Sequence, residues 1–325
     1  MTDLTTRFAG LTLKNPVIIS SSGLTDNVQK IRKLEEFGAG AVVLKSIFEE
    51  QILYEANTLS ETSDYPEAGD YIRYYTKSNS LDQYLRLIQS AKKEVSIPVI
   101  ASVNCISSKD WTDFTRSIEA AGADAIELNV YFLPVNTDVE GQVYEENYLE
   151  LLTTIKKKVG LPVIMKLGPN FTHPVRFIEK LYHRGVDAVV LFNRFYSPDI
   201  NVDELKMTSS EVFSSPSDIR HSLRWVAIVS SIIDQVHIAA STGIHDGKAV
   251  VKQLLAGAQA VQVCSTLYKN GPAYLAEMIS GLVTWMEAKK FRRIDDFRGM
   301  MSYSNIPDPA VYERSQFMRY FSGQH

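Results

Sequence analysis

The stretches Val236-His-Ile-Ala-Ala-Ser-Thr-Gly-Ile244 and Ala260-Val-Gln-Val-Cys-Ser265 decide the fold, because together they frame one strand–helix–strand unit. Between them, Asp246 to Ala256 has apolar residues at helical spacing, and Gly257 follows as a C-terminal cap. Both strands finish in small or hydroxyl residues. Two neighbouring strand ends of this kind can expose backbone N–H groups side by side, which is how a βα unit holds a phosphate.

The second half of this unit is one of four copies of an internal repeat. The copies are Phe37-Gly-Ala-Gly-Ala-Val-Val-Leu44, Ala121-Gly-Ala-Asp-Ala-Ile-Glu-Leu128, Arg184-Gly-Val-Asp-Ala-Val-Val-Leu191 and Ala256-Gly-Ala-Gln-Ala-Val-Gln-Val263. Four strands of a second kind alternate with them, at Pro16-Val-Ile, Pro98-Val-Ile, Pro162-Val-Ile and His237-Ile-Ala. The total is eight mostly apolar strands, as expected for strands buried on both faces.

Eight strands alternating with helices predict an α/β fold, a (β/α)8 TIM barrel with its chemistry at the C-terminal strand ends. The predicted strands are Val17–Ile19, Ala41–Leu44, Pro98–Val103, Ala125–Asn129, Pro162–Lys166, Ala188–Phe192, Val236–Ala240 and Ala260–Val263. Long insertions follow strands 2, 4 and 6, at about 49–80, 131–146 and 194–217. An open doubly wound sheet is the alternative, but no G-x-G-x-x-G follows the first strand.

The predicted helices fill most of the remaining chain. They are about Asn27–Phe37, Leu81–Glu94, Asp110–Ala121, Asn147–Val159, Pro174–Arg184, Asp218–Ile233, Asp246–Ala256 and Gly271–Lys289. A small hairpin is expected at Phe8-Ala-Gly-Leu-Thr-Leu13, before the first barrel strand. The 325 residues are consistent with one large domain, and we expect residues 300–325 to be an extension packed on it.

Composition excludes several classes of function. The net charge is −4 without a basic block, so nucleic acid is not an expected partner. No apolar run approaches the ~18 residues of a membrane span, and no signal peptide is visible, so we expect a cytoplasmic protein without membrane contact. Two cysteines, Cys105 and Cys264, form no metal-type pair, and no H-E-x-x-H occurs among six histidines. We therefore expect no metal.

The barrel rule selects the polar residues that end the strands. They are Ser21, Ser22, Lys45, Ser46, Asn104, Asn129, Lys166, Asn193, Ser241, Thr242, Gly243, Cys264 and Ser265. Two lysines directly after buried strands are unusual and would need a buried anion, unless they are surface residues of the rim. No carboxylate pair and no Ser-His-Asp order accompanies them, so hydrolysis is not supported. Amides with lysines suit a large planar cofactor that carries a phosphate and becomes anionic.

At these positions the chain resembles the dihydroorotate dehydrogenases, FMN-containing (β/α)8 barrel enzymes of pyrimidine synthesis. The matching pieces are Asn15-Pro16, Ser21-Ser-Gly23, Leu44-Lys-Ser46, Glu127-Leu-Asn129, Met165-Lys-Leu167, Asn193, Ser241-Thr-Gly-Ile244, Leu255-Ala-Gly-Ala258, Gln262-Val-Cys-Ser-Thr-Leu267 and Lys269-Asn-Gly-Pro272. The resemblance implies FMN as cofactor, with Lys45 and Lys166 against its ring and Lys166 stabilising negative charge near N1 and O2. It implies that Asn129 and Asn193 contact flavin and substrate, and that Ser241–Gly243 with Cys264 and Ser265 hold the phosphate.

The chain departs from the family where a proton must be removed. In the family a Cys or Ser follows Glu-Leu-Asn, whereas here the candidates are Tyr131, Phe132 and Leu133. Among them only Tyr131 carries a titratable group, and a free tyrosine with pKa ~10 is a poor base at neutral pH. The family has an asparagine-containing loop that binds substrate, and 70–81 contains no recognisable counterpart of it. Within this range Asn79 is the candidate substrate-binding residue.

Two further residues have open interpretations. Arg194 stands beside Asn193, where the family has a small residue, and either binds a substrate carboxylate or phosphate or forms a loop salt bridge. Cys264 is either a small packing residue or a nucleophile, with packing favoured.

The resemblance predicts an FMN-dependent oxidoreductase, a single FMN-binding barrel over residues 1–325, that passes a hydride from a small substrate to flavin N5. The narrow form of this hypothesis is dihydroorotate to orotate, and the broad form is a different small substrate. The alternatives are a non-catalytic flavin-binding partner protein and a flavin-free phosphate-binding barrel such as an isomerase or aldolase. Because no membrane-binding helical pair precedes Phe8, the chain resembles the soluble class of the family, and a homodimer is expected.

Overall fold

A computed structural model describes residues 2–48, 69–104, 111–195 and 197–313, with the side chains of all but 69–78 and 111–113. Eight parallel strands form a closed ring: Val17–Ile19, Ala41–Val43, Val99–Asn104, Ala125–Asn129, Val163–Leu167, Ala188–Leu191, His237–Ser241 and Ala260–Val263. The first strand pairs with both the second and the eighth, and the second with the third through Val42 and Val99. The predicted (β/α)8 barrel is therefore confirmed.

Helices surround this ring. The long ones are Val28–Glu36, Gly69–Glu94, Trp111–Ala120, Gly141–Lys156, Pro174–His183, Ile219–Ile232, Gly247–Ala256 and Tyr274–Lys289. Short ones are Ser265–Asn270 and Ala310–Glu313, with 3-10 turns at Pro216–Asp218 and Ile294–Asp296. The helix after the seventh strand is capped at both ends: the Asp246 side chain accepts from the N–H of Ala249, and Gly257 ends the helix at φ 117°, as predicted.

Two predicted helix starts are wrong. The helix predicted from Leu81 begins at Gly69, and the helix predicted from Asn147 begins at Gly141. In both cases the added turns begin with glycine and carry no regular apolar stripe, so hydrophobic periodicity had nothing to detect. The insertion after the second strand is correspondingly shorter than predicted, and its residues 49–68 lie outside the described part of the chain.

Three short strands were also missed. Pro198–Asn201 and Lys206–Ser209 pair as an antiparallel hairpin in the third insertion, and Ile47–Phe48 adds to the third barrel strand. The hairpin is mostly exposed, so it lacks the apolar alternation that marks a half-buried strand. The predicted N-terminal hairpin does form, between Thr6–Phe8 and Leu11–Leu13.

The barrel interior changes character from bottom to top. Inward side chains of alternate strands stack in layers. Phe8, Ala9 and Leu13 of the N-terminal hairpin pack into the lower interior, against layers formed by Ala41, Ala125, Ala188 and Ala260 and by Ile18, Ile100, Ile164 and Ala239. Above them the chain places Val43, Glu127, Val190 and Gln262, and then Ser20, Ser102, Lys166 and Ser241. The apolar interior thus becomes polar before the C-terminal rim.

The described part of the C-terminal segment follows the outer helices. The backbone N–H of Gly299 donates to Leu254, that of Met301 to Leu255 and that of Tyr303 to Ala227, at 2.8–3.0 Å. Residues 314–325 lie outside the described part, so the packing of the whole extension stays a prediction. Among the described helices, none has the length and apolarity needed to cross a membrane.

Candidate active site

A cavity of about 810 Å³ lies at the C-terminal ends of the barrel strands. Every predicted site residue but one lines it: Ser21, Ser22, Lys45, Ser46, Asn104, Asn129, Tyr131, Lys166, Asn193, Arg194, Ser241, Thr242, Gly243, Cys264 and Ser265. Asn79 is the exception; it is exposed on the helix Gly69–Glu94 and is not among the lining residues. The closed barrel therefore brings together residues spread over 245 positions of sequence, from 21 to 265.

Beneath this cavity lies a buried polar cluster that we call the floor, formed by Ser20, Glu127, Lys166 and Gln262. Lys166 is 4% exposed, and its Nζ donates to Ser20 Oγ and to Gln262 Oε1, both at 2.9 Å. Glu127 is fully buried, with Oε1 3.6 Å from the same Nζ, and its Oε2 accepts from Gln262 Nε2. The required buried anion for Lys166 is therefore Glu127.

Glu127 and Gln262 were missed as site residues, although the sequence contains a signal. They occupy the same position of the four-copy repeat, where the other two copies have Val43 and Val190. A polar residue in a seat that is otherwise β-branched and apolar, facing the barrel interior, indicates a specific partner inside. Lys45 differs from Lys166, because its side chain is exposed at the rim of the cavity.

An amide pair and a set of three hydroxyls lie near the C-terminal strand ends. Asn193 Nδ2 donates to Asn129 Oδ1 at 2.7 Å, joining the ends of the fourth and sixth strands. The Ser46 hydroxyl lies 2.9 Å from that of Ser21 and 2.7 Å from that of Ser102. These contacts fix amides and hydroxyls that can meet the edge of a planar ligand.

The seventh and eighth strands end side by side in a tight corner. Thr242 and Gly243 both have positive φ, 74° and 79°, and the Thr242 hydroxyl donates to the carbonyl of Phe192. A Cβ on Gly243 would lie 2.1 Å from the backbone nitrogen of Ile219, so the corner packs directly on the start of the helix Ile219–Ile232. Glycine is required there for both conformation and space.

The corner faces the end of the eighth strand, where Cys264 and Ser265 line the cavity. Burial raises the pKa of the Cys264 thiol, and the hydroxyl of Ser22 and the charge of Lys166 oppose that shift. A raised pKa suits the packing interpretation of Cys264 better than the nucleophile. Among the described residues, no cluster of three or more His, Cys, Asp or Glu could hold a metal ion.

The outer boundary, which we call the wall, consists of Tyr131, Arg194, Phe195 and Glu211–Ser214. The Arg194 guanidinium donates to Asp218 Oδ2 at 2.9 Å and to the carbonyl of Glu211 at 2.7 Å, so it forms the loop salt bridge of the two alternatives. Ser214 ties the wall to the corner, because its N–H donates to Ser265 Oγ and its carbonyl accepts from Lys269 Nζ. Its hydroxyl also meets His245 Nε2 at 3.0 Å.

Tyr131 is the member of the proton-acceptor trio that lines the cavity. Its ring stacks on Phe195 with 3.7 Å between centroids, while Phe132 packs edge-on against Tyr148 and Leu133 is 56% exposed. A Cβ on Gly168 would lie 2.6 Å from the Phe195 ring, so the stack depends on a glycine at that point. Tyr131 therefore lines the cavity as part of an aromatic plate, in the run that follows Glu127-Leu-Asn129.

Comparison with known proteins agrees with this geometry. The family model described as dihydroorotate dehydrogenase matches residues 3–286. The "dihydroorotate dehydrogenase B (NAD(+)), catalytic subunit" of Thermoplasma volcanium is 31% identical over 317 residues, covering 92% of this chain and 99% of that protein. The protein of the same name from Methanothermobacter thermautotrophicus is 28% identical over 306 residues, covering 91% and 98%. The chain belongs to the dihydroorotate dehydrogenase family.

Proposed function

We propose that the cavity binds FMN and that the chain uses it to oxidise a CH–CH bond of a small substrate. The observation that carries the proposal is the floor, a buried ammonium held by three side chains beneath a cavity of about 810 Å³. That volume lies within the ~300–1,000 Å³ of cofactor sites. Members of this family are flavin-dependent oxidoreductases acting on CH–CH groups, and the specific assignment to FMN is ours.

The residues present fit such a group. Lys166 would supply a fixed positive charge to a flavin ring that becomes anionic on reduction, and Asn129 and Asn193 would offer amide donors and acceptors to flavin and substrate. Gly243 and Ser265 line the cavity where the seventh and eighth strands end side by side, an arrangement whose backbone N–H groups would suit a phosphate. When bound, the flavin supplies the hydride acceptor at N5.

Tyr131 is the proposed proton acceptor, because it joins a titratable hydroxyl to a place in the cavity wall. Its stack with Phe195 fixes the ring, and the hydroxyl is the one group of the trio that can exchange a proton. A tyrosine needs activation for this role, since its ordinary pKa is about 10.

Dihydroorotate, oxidised to orotate in pyrimidine biosynthesis, is the first substrate to test, because the names of the relatives specify that activity. The Tyr131–Phe195 plate and the internally paired Arg194 favour a second candidate, a different small substrate with a larger apolar or aromatic part. An aromatic plate binds flat apolar rings better than a polar dihydropyrimidine carboxylate.

The test is anaerobic reduction of the purified protein, followed by its visible spectrum. Bound FMN gives absorption near ~370 and ~450 nm, and mass analysis of the released cofactor distinguishes it from other flavins. Bleaching by dihydroorotate, with turnover supported by a dye or by NAD⁺, supports the first candidate. Bleaching by other CH–CH substrates but not by dihydroorotate supports the second. A protein that stays colourless after FMN is added would overturn the proposal.

A non-catalytic flavin-binding partner protein is the alternative that the atypical proton acceptor keeps open. It predicts tightly bound flavin that no small reductant of the CH–CH class bleaches. We further propose a single folded domain, supported by the barrel closure, and a cytoplasmic location, supported by the cysteine count of two. We also propose a homodimer, on the resemblance to the soluble class of the family alone. Light scattering after gel filtration measures the dimer directly, and limited proteolysis tests whether residues 300–325 stay attached to the barrel.

A further inference from the structure

Glu127 is the most deeply buried charge of the site, and it does not touch the cavity. It is fully buried and is absent from the lining, whereas Lys166 and Gln262 above it do line the cavity. Within the described part of the chain its Oε1 accepts no hydrogen bond, and the nearest cation is the Lys166 ammonium at 3.6 Å. Burying a carboxylate in this way costs free energy, so we expect its charge to have a role.

The repeat shows that this carboxylate is not required by the fold. The same seat holds Val43 in the first copy and Val190 in the third, both part of the apolar interior. Only the second and fourth copies carry polar residues there, and these two side chains hydrogen-bond to each other and reach Lys166. The barrel packs at this layer with valine in the first and third copies. We therefore attribute the Glu127–Gln262 pair to its contacts with Lys166 rather than to packing.

We propose that Glu127 is a positioning residue that sets the effective charge of Lys166 and, through it, the reduction potential of the bound flavin. The inference rests on the proposed flavin site. The Glu127 carboxylate offsets much of the positive charge that Lys166 would present to a bound flavin. Together with Gln262 and Ser20 it orients the Nζ of Lys166. A full, uncancelled positive charge would favour the anionic reduced ring more strongly, so the carboxylate holds the potential at a lower value.

The decisive variant is Glu127→Gln, which keeps the shape and removes the charge. We expect the potential of the bound flavin to rise, with at least a tenfold shift of the reduction equilibrium, which is about 30 mV for a two-electron couple. The potential is measured by equilibration with a reference dye and needs no turnover. Glu179→Gln removes one carboxylate from the exposed surface and serves as the matched control, with no expected shift.

Dependence on Lys166 is tested in a double-mutant cycle. If Glu127 acts through the lysine, Glu127→Gln has little effect on the potential in a Lys166→Met background. A shift of equal size in both backgrounds overturns the inference, as does a potential of Glu127→Gln equal to that of wild type. Absence of flavin from the wild-type protein would instead refute the proposed function and is recognised before any variant is made.

A second pair of variants keeps the test available if Glu127→Gln does not fold. Gln262→Glu adds a carboxylate next to Lys166, because Gln262 Oε1 already lies 2.9 Å from Nζ. Combined with Glu127→Gln, it moves the carboxylate to the other member of the pair and keeps the cluster charge. We expect the potential to fall in Gln262→Glu alone and to return toward wild type in the double variant. Equal potentials in these two variants would contradict the inference.

Discussion

The floor and the wall of the cavity are built in opposite ways. The floor consists of side chains that meet across the barrel from the fourth, fifth and eighth strands and the end of the first, buried to 6% exposure or less, with every ammonium contact supplied by the barrel interior. The wall consists of loop residues, most of them half-buried or exposed, that are held by hydrogen bonds of Arg194 and Ser214 and by aromatic stacks of Tyr131 on Phe195 and of Phe213 on Tyr268.

This difference separates two parts of the chemistry. The floor is formed by side chains of the barrel strands and lies beneath the cavity whatever the substrate is. The wall contains the positions where the sequence is expected to depart from the family, Tyr131 in an aromatic plate and Arg194 in a loop pair. We therefore expect changes in the floor to alter flavin chemistry and changes in the wall to alter substrate turnover.

Lys166→Met should give the largest effect. It removes the ammonium from the floor and leaves Glu127 buried without its cation. We expect turnover to fall by about 10³-fold and stability by about 3–5 kcal/mol, measured by rapid reduction kinetics and denaturant unfolding. Lys180→Met, which breaks a partly exposed pair with Glu145, is the control. Unchanged turnover would show that the floor takes no part in the reaction.

Tyr131→Phe tests the wall without disturbing its stack on Phe195. Loss of the hydroxyl should slow flavin reduction by about 10²-fold, because a positioned proton acceptor contributes at least that much. Flavin affinity should stay within about twofold, since the ring remains. If reduction is as fast in the variant as in wild type, the proton goes to another group, and Tyr131 only shapes the wall.

Gly243→Ala tests the corner that joins floor and wall. Its Cβ would lie 2.1 Å from the Ile219 nitrogen, and φ is 79°, so we expect loss of at least about 3 kcal/mol and weaker flavin binding. Gly10→Ala is a matched control with φ 77° and open space around the new methyl group. It should lose about 1–2 kcal/mol from strain alone. Equal losses would mean that the close approach at Gly243 is not important.

Arg194 separates a structural role from a substrate contact. Asp218→Asn weakens the loop pair but leaves the guanidinium in the cavity wall, whereas Arg194→Ala removes both. For a loop pair that is about one-third exposed, both variants should lose only about 1 kcal/mol and keep the KM for substrate. A KM increase confined to Arg194→Ala would establish a substrate contact instead.

The pH dependence of stability should give the smallest effect, at the tie between wall and corner. Burial lowers the pKa of His245, with the Lys269 charge acting in the same direction. The unfolded chain therefore binds a proton at His245 more readily than the folded chain does. The contribution of His245 to stability is present above pH ~6.5 and is lost as the pH falls below that value. Thermal unfolding of wild type and His245→Gln between pH 5 and 8 should converge at low pH. Parallel curves would show that His245 contributes nothing to the pH dependence of stability.

Sequence reasoning predicted the barrel and most of the cavity lining because both depend on local, repeated signals. The Gly-x-x-Ala repeat marks strand starts, and the barrel rule then collects polar residues that stand at strand ends. It failed where no local signal exists, as at the helix start Gly69 and the exposed hairpin Pro198–Asn201 with Lys206–Ser209. Backbone pairing and tertiary packing decide such elements, rather than apolar periodicity.

The sequence by itself determined that eight βα units close on one another, because continuous apolar strands at a regular spacing can be buried on both faces in few other ways. Only the tertiary structure decided which charges face each other. Glu127, Lys166 and Gln262 stand on different strands, and the distances that make them one cluster follow from barrel closure and strand register. The same holds for Tyr131 and Phe195, whose stack depends on the missing side chain of Gly168.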